Sequence, residues 1–216
     1  MNIKIVNRIS FADLVERIRK VPLVKKSEDG SEIFVYDKAR ISLRELDPDE
    51  VNPTTFYLLK ENLKFQEDLR KHLQETEGID TLLLDIGLEI VNEVNEVWTL
   101  MPPIIEVTPR MVRYQPLEGE LSYEETVKVQ IPIINDGAHR VATARKLGMT
   151  FKGIFISGAD ERYPFYAHPN EWERVKLVDS VPKTKGEKKL YSREDCYGLY
   201  RNFGVLGCGK PRMLGK

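Results

Sequence analysis

The chain is poor in the residues that staple or metallate small proteins, with two cysteines and three histidines among 216 residues. Two cysteines make no disulfide framework. Cys196 and Cys208 stand near the C-terminus with no paired Cys or His motif beside them. A metal site on Cys196, Cys208 and His168 would lack the tight ligand spacing of zinc sites. No apolar run approaches a membrane span, and Met1–Arg8 is too short and too charged for a signal peptide. An excess of one charge is missing too: 33 Lys and Arg balance 34 Asp and Glu, for a net charge of −1. That removes a global electrostatic case for nucleic acid. The expectation is a cytoplasmic protein with reduced thiols and no membrane partner.

What the chain does have is enough apolar residue, 41%, beside 31% charged residue, to build a core rather than remain disordered. Its length suits one domain with extensions, or two small ones. Charge is unevenly spread. Residues 61–125 hold fifteen acids against five Lys and Arg, and residues 183–216 hold nine Lys and Arg against three acids. The plain reading is a solvated acidic helix and a solvated basic tail. The alternative is that the basic tail helps to bind an anionic ligand such as nucleotide phosphates.

Periodicity predicts a strand over 3–6 and a helix capped by Ser10, with Phe11, Leu14, Val15 and Ile18 on one stripe. Asp29-Gly30 marks a turn, and 33–36 and 41–46 read as strands. Pro48 sets a turn or a helix start. Helices are expected over 56–74, ended by Gly78, and over 81–97, where Leu84, Leu88, Val91 and Val94 fall near one face. A proline-led strand follows over 101–107, then a loop around Glu118-Gly119-Glu120. The apolar strand 127–134 ends at Asn135-Asp136-Gly137, a sharp turn. Next come a short helix, 138–147, closed by Gly148, and a strand, 151–157. Further on, 170–179 and 196–203 read as short helices. Tyr163 to Pro169 with Trp172 forms an aromatic cluster, a packing lid or a pocket wall. Gly207-Cys208-Gly209-Lys210-Pro211-Arg212 is glycine-rich and basic, and reads as a flexible tail, the alternative being a cradle for a phosphate.

Strand, tight turn, helix, glycine and strand in succession make an α/β unit. At the opening of that helix the first-turn amides and the dipole favour an anion. Gly137 allows close backbone approach. His139 and Arg140 add donors, and Arg140 is suited to grip a phosphate with two parallel bonds. Asp136 is suited to cap the helix or to bind a metal that accompanies phosphates.

The stretch from Ile133 to Gly148, centred on Asn135-Asp136-Gly137-Ala138-His139-Arg140, resembles the signature of the ParB/sulfiredoxin superfamily. Upstream, Ile41 to Glu50 is similar to that superfamily's strand, proline turn and helix, and 103–107 is similar to its strand before the signature. The resemblance covers 41–157. It implies an α/β (α+β) fold, a small mixed sheet with flanking helices. Residues 1–40 would form a helix and strand extension, 56–98 a helical insertion, and 158–216 an aromatic-rich, basic extension packing on the core.

Departures narrow the function implied. Sulfiredoxins carry a nucleophilic cysteine where this chain has Ala138, so sulfinic-acid repair is not expected. ParB proteins carry Glu at that position and continue into a helix-turn-helix, which residues 158–216 do not suggest. Archaeal free-serine kinases carry His there, but share Asp136, Gly137, His139 and Arg140; their catalytic acid falls on Glu50. The resemblance therefore implies a phosphotransferase that moves a nucleotide phosphate to a small hydroxyl-bearing molecule. Its cofactor would be ATP or ADP with Mg2+ at Asp136. Residues 136–140 would hold the nucleotide, and Glu50 and His139 would be catalytic. The alternatives are a ParB-like DNA-binding protein or nuclease, and a nucleotide-sensing module without turnover. The sequence carries no signal for the oligomeric state.

Overall fold

The computed structural model describes residues 3–114, 125–193 and 196–208. The expected loop at Glu118 to Glu120 and the end of the tail from Gly209 lie outside the described residues. In chain order the elements are β1 (Lys4–Ile9), α1 (Phe11–Arg19), β2 (Arg40–Leu46), β3 (Tyr57–Leu59), α2 (Lys60–Glu77), β4 (Gly87–Val91), β5 (Val97–Leu100), β6 (Ile104–Tyr114), β7 (Glu125–Asp136), α3 (Ala138–Leu147), β8 (Phe151–Ser157), β9 (Lys176–Val178) and α4 (Lys185–Lys188). The fold is mixed α and β, as expected.

The central sheet runs β2-β8-β6-β7. β6 and β8 pair in parallel, and the outer pairs are antiparallel. Side chains alternate across it, as a strand's period of two requires. Ile104, Ile133, Ile154 and Ile156 face a core shared with α1 and the C-terminal aromatics Phe165, Tyr166 and Phe203. Their neighbours Ile105, Ile134 and Phe151 face the opposite core, against Val141 and Ala144 of α3. Each buried aliphatic side chain of this kind contributes about 1.5–3 kcal/mol, so α3 is held by packing and not by its own marginal length.

A second sheet, β1-β4-β5, packs on Leu69 and Leu73 of α2. The N-terminal strand therefore belongs with residues 87–100: it pairs in antiparallel fashion with β4, which pairs likewise with β5. A parallel pair, β3-β9, ties the entry of α2 to the C-terminal region. β6 and β7 pair along their whole described length, to Tyr114 and Glu125, whereas β6 meets β8 only over Ile104 to Glu106. The rest is a two-stranded ribbon, with Met111, Val112 and Val127 exposed.

Four elements differ from expectation. The helix expected over 81–97 is the β4-β5 hairpin. Leu88 and Ile90 are 0% exposed while Val94 is 69% exposed, a period of two with a turn after it. Asn92 makes that turn: its side-chain oxygen accepts from the amides of Val94 at 3.1 Å and Glu96 at 2.9 Å. The strand expected over 33–36 is irregular chain that enters a turn over 35–38, and Val35 and Tyr36 are buried side by side where a strand would alternate. The helix expected over 170–179 is one 3-10 turn, Trp172–Arg174, followed by β9. Trp172 donates its indole N–H to the carbonyls of Pro48 at 3.0 Å and Val51 at 3.1 Å. The last expected helix is two 3-10 turns, Cys196–Leu199 and Phe203–Leu206. Among the described residues, no helix is long and apolar enough to cross a membrane.

Candidate functional site

β7 delivers its last residues, Asn135 and Asp136, to the point where Gly137 turns the chain into α3. Gly137 has φ +84°, a conformation that costs other residues about 1–2 kcal/mol. A Cβ there would also lie 2.9 Å from Cβ of Pro103. The turn thus packs on the prolines that lead into β6, and only glycine fits. No side chain caps α3, unlike α1, whose first turn is capped by Ser10.

This turn is one wall of a cavity of about 250 Å3. Asn135 to Arg140 line it on one side, Phe65, Leu69, Trp98 and Leu100 on another, and Thr54, Thr55, Lys189 and Cys208 complete it. The Phe65 and Trp98 rings lie 6.5 Å apart and tilted. The lining therefore combines an aromatic pair with amides, hydroxyls and two cations against the one carboxylate of Asp136, among the described residues.

The residues singled out in the sequence occupy different places. Arg140 lines the cavity but is only 7% exposed. Its guanidinium donates to the carbonyl of Met101 and lies 3.8 Å from the carboxylate of Asp136. Burial lowers its pKa, and Asp136 opposes that. His139 also lines the cavity, and its Nε2 accepts from the amide of Leu59 at 3.2 Å, which ties α3 to the entry of α2. That bond leaves Nε2 without a proton to give. Glu50 is not among the cavity-lining residues. It closes the 3-10 turn Pro48–Glu50 as the third residue of a capping box, accepting from the amide of Asp47 at 3.2 Å. The arrangement brings Asp136 to Arg140 together in one cavity and leaves Glu50 out of it.

Asp136 is the group suited to a divalent cation. Its side chain is 40% exposed and, among the described residues, no cluster of three or more His, Cys, Asp or Glu surrounds it. One carboxylate fits a magnesium ion that takes its remaining ligands from phosphates and water.

Lys189 and a buried network behind the turn were not singled out in the sequence, and Cys208 was, but not as a wall of this cavity. Lys189 donates to the hydroxyls of Tyr166 at 2.6 Å and Thr54 at 3.3 Å. Burial brings its pKa down to about 8, which Asp136 partly offsets. The thiol of Cys208 is pushed up to about 12 by burial, with Asp136 adding to the shift; it is an unreactive wall residue. Behind the turn lies a buried network: Tyr36 donates to Glu106 at 2.5 Å, Asn135 donates to Tyr36 at 2.8 Å and to Glu106 at 3.1 Å, and Arg201 grips Glu106. Burial and the Glu106 charge hold the Tyr36 hydroxyl protonated far above its ordinary range. The basic character of 183–216 was the one sequence signal that pointed toward Lys189.

A family model described as the ParB CE domain matches residues 13–176, well over half of the chain. No curated protein matches, and neither does any solved structure. The ParB-like part of the resemblance is thus shown, and the match is silent on the serine-kinase branch.

Proposed function

The chain belongs to the ParB CE domain family, and we propose that its cavity at the Gly137 turn is a nucleotide-binding site. The phosphates lie on the opening of α3 and the base against Phe65 and Trp98. The observation that carries this reading is an uncapped ten-residue helix whose first turn faces a partly buried, cationic cavity. Helix amides and dipole favour an anion there, and partial burial strengthens the attraction. At about 250 Å3 the cavity is slightly below the range of roughly 300–1,000 Å3 typical of small-molecule sites. It suits the phosphate-bearing part of a nucleotide and one face of its base. ATP or ADP is the proposed ligand, with Mg2+ carried by the phosphates and Asp136.

The reading is one of binding. Glu50 serves as a helix cap away from the cavity, so a Glu50-based transfer to a hydroxyl acceptor has no support in the arrangement of these side chains. A nucleotide-sensing role within the ParB-like family is the form of the proposal that the geometry favours.

Calorimetric titration of the whole protein with ATP and ADP, with and without Mg2+, tests it. Binding is expected, together with a loss of at least about tenfold in Ala138→Asp, which sets a carboxylate at the mouth of α3. Ala138→Ser serves as the neutral control. Absence of binding at millimolar nucleotide overturns the proposal, as does an unchanged affinity in a folded Ala138→Asp.

A further inference from the structure

Lys189 lies beyond residue 176, where the family match ends, yet it forms a wall of the same cavity. Its position is built rather than incidental. On one side the carbonyl of Lys188 accepts from the amide of Phe56 at 2.9 Å, and on the other the carbonyl of Leu190 accepts from the amide of His168 at 2.8 Å. Between these two fastenings the ammonium group turns inward, 4.7 Å from the centroid of the Tyr166 ring.

The hydrogen-bond partners of that ammonium, Tyr166 and Thr54, are neutral hydroxyls. Among the described residues no carboxylate stands within ion-pair distance of it; Asp136 acts on it from further off. A half-buried ammonium with no counter-ion is costly, and an anion in the cavity would relieve that cost. Lysine serves phosphates as a point charge beside backbone amides, and the opening of α3 supplies such amides. Further along, the carbonyl of Gly207 accepts from the amide of Thr99 at 2.8 Å, which lays Cys208 along another wall. Lys189 and Cys208 thus both reach the site from the C-terminal region.

We infer that Lys189 is the side chain that contacts the phosphate of the bound ligand, so that the site of this ParB-like core is completed by a residue that follows the matched segment. The inference rests on the nucleotide reading and adds the residue that discriminates phosphate-bearing ligands from their phosphate-free counterparts. It carries a pH signature. With its pKa drawn to about 8, the Lys189 ammonium loses its proton as pH rises through that value, and the attraction for phosphate goes with it. The other titratable groups about it are Asp136, His139, Arg140, Cys208, Tyr166 and Tyr200. Burial pushes the two tyrosines and Cys208 upward, away from this window.

The test titrates ATP, and adenosine as its phosphate-free comparator, into the full chain and into Lys189→Gln and Lys189→Arg at pH 7 and pH 9. A thermal melt of each variant establishes that it is folded. Lys189→Gln is expected to lose at least about tenfold in ATP affinity and to leave adenosine unchanged. The wild type is expected to bind ATP more weakly at pH 9 than at pH 7, and Lys189→Arg, always charged, to show no such fall. ATP affinity equal to wild type in Lys189→Gln overturns the inference while leaving the nucleotide reading intact, and so does a pH dependence that persists in Lys189→Arg. Should the wild type bind neither ATP nor adenosine, the nucleotide reading itself falls, and the role of Lys189 with it.

Discussion

Arg201 and Glu106 meet in the protein interior, each 1% exposed, with Nη2 of the guanidinium 2.7 Å from one carboxylate oxygen and Nε 3.1 Å from the other. Arg201 also donates to the carbonyls of Leu199, Pro164 and Tyr163. Glu106 in turn holds Tyr36 and Asn135, the residue before Asp136. A fully desolvated pair of this kind fixes the C-terminal segment to the central sheet and sets the backbone that leads into the Gly137 turn.

Removing one partner leaves the other charged and unpaired. Arg201→Met is therefore expected to destabilise the fold by about 3–5 kcal/mol. The double variant with Glu106→Leu should recover part of that loss, since the orphaned carboxylate is gone. Urea unfolding of the two singles and the double measures the coupling. Simple additivity would show that the pair carries no mutual energy.

Gly137 and Gly148 both have positive φ, +84° and +62°, but only Gly137 has a neighbour in the way of a Cβ. Gly148→Ala is expected to cost about 1 kcal/mol, the backbone penalty alone. Gly137→Ala adds the clash with Pro103 and is expected to cost about 2–4 kcal/mol. The comparison of unfolding midpoints separates conformation from contact; equal losses would contradict it.

Stability should also respond to Lys189. Its folded-state pKa, about 8, lies below the ordinary 10.5, so between those values the unfolded chain binds more protons. Stability therefore rises with pH across that window. Below pH 8 the half-buried charge costs up to about 3 kcal/mol. Lys189→Met is expected to be more stable than wild type at pH 7, with the difference fading as pH approaches 10.5. Denaturation at a series of pH values checks both sign and window.

Glu50 offers the sharpest division between a capping and a chemical role. Glu50→Ala is expected to lose about 0.5–1 kcal/mol through the broken capping box, and to leave nucleotide affinity unchanged. A large fall in affinity without loss of stability would return Glu50 to the site.

The sequence made the centre of this fold legible because its signals there are local. The strand through Ile133 and Ile134, the Asn135-Asp136-Gly137 turn and the Gly148 cap are all decided by neighbours in the chain, and β7, α3 and β8 appear where expected. The hairpin at 87–100 was misread because Leu84, Leu88, Val91 and Val94 satisfy a helical spacing. What overrides it is pairing with β1, about eighty residues earlier. The candidate site divides the same way. Asp136 to Arg140 announce themselves as a motif, whereas Phe65, Trp98, Thr54 and Lys189 are assembled by the topology, and nothing local in the sequence marks them as neighbours.

The ribbon of β6 and β7 has one further consequence for amide exchange. At Ile104 to Glu106 its backbone is clasped between two neighbouring strands and buried, so solvent protons reach it only when the whole molecule opens. At Met111 and Val112 the ribbon has one partner strand and exposed side chains, and an isolated two-stranded pair is marginal in water. Deuterium uptake should therefore run as a gradient along a single hairpin, slow at its base beside the Gly137 cavity and fast at its far end.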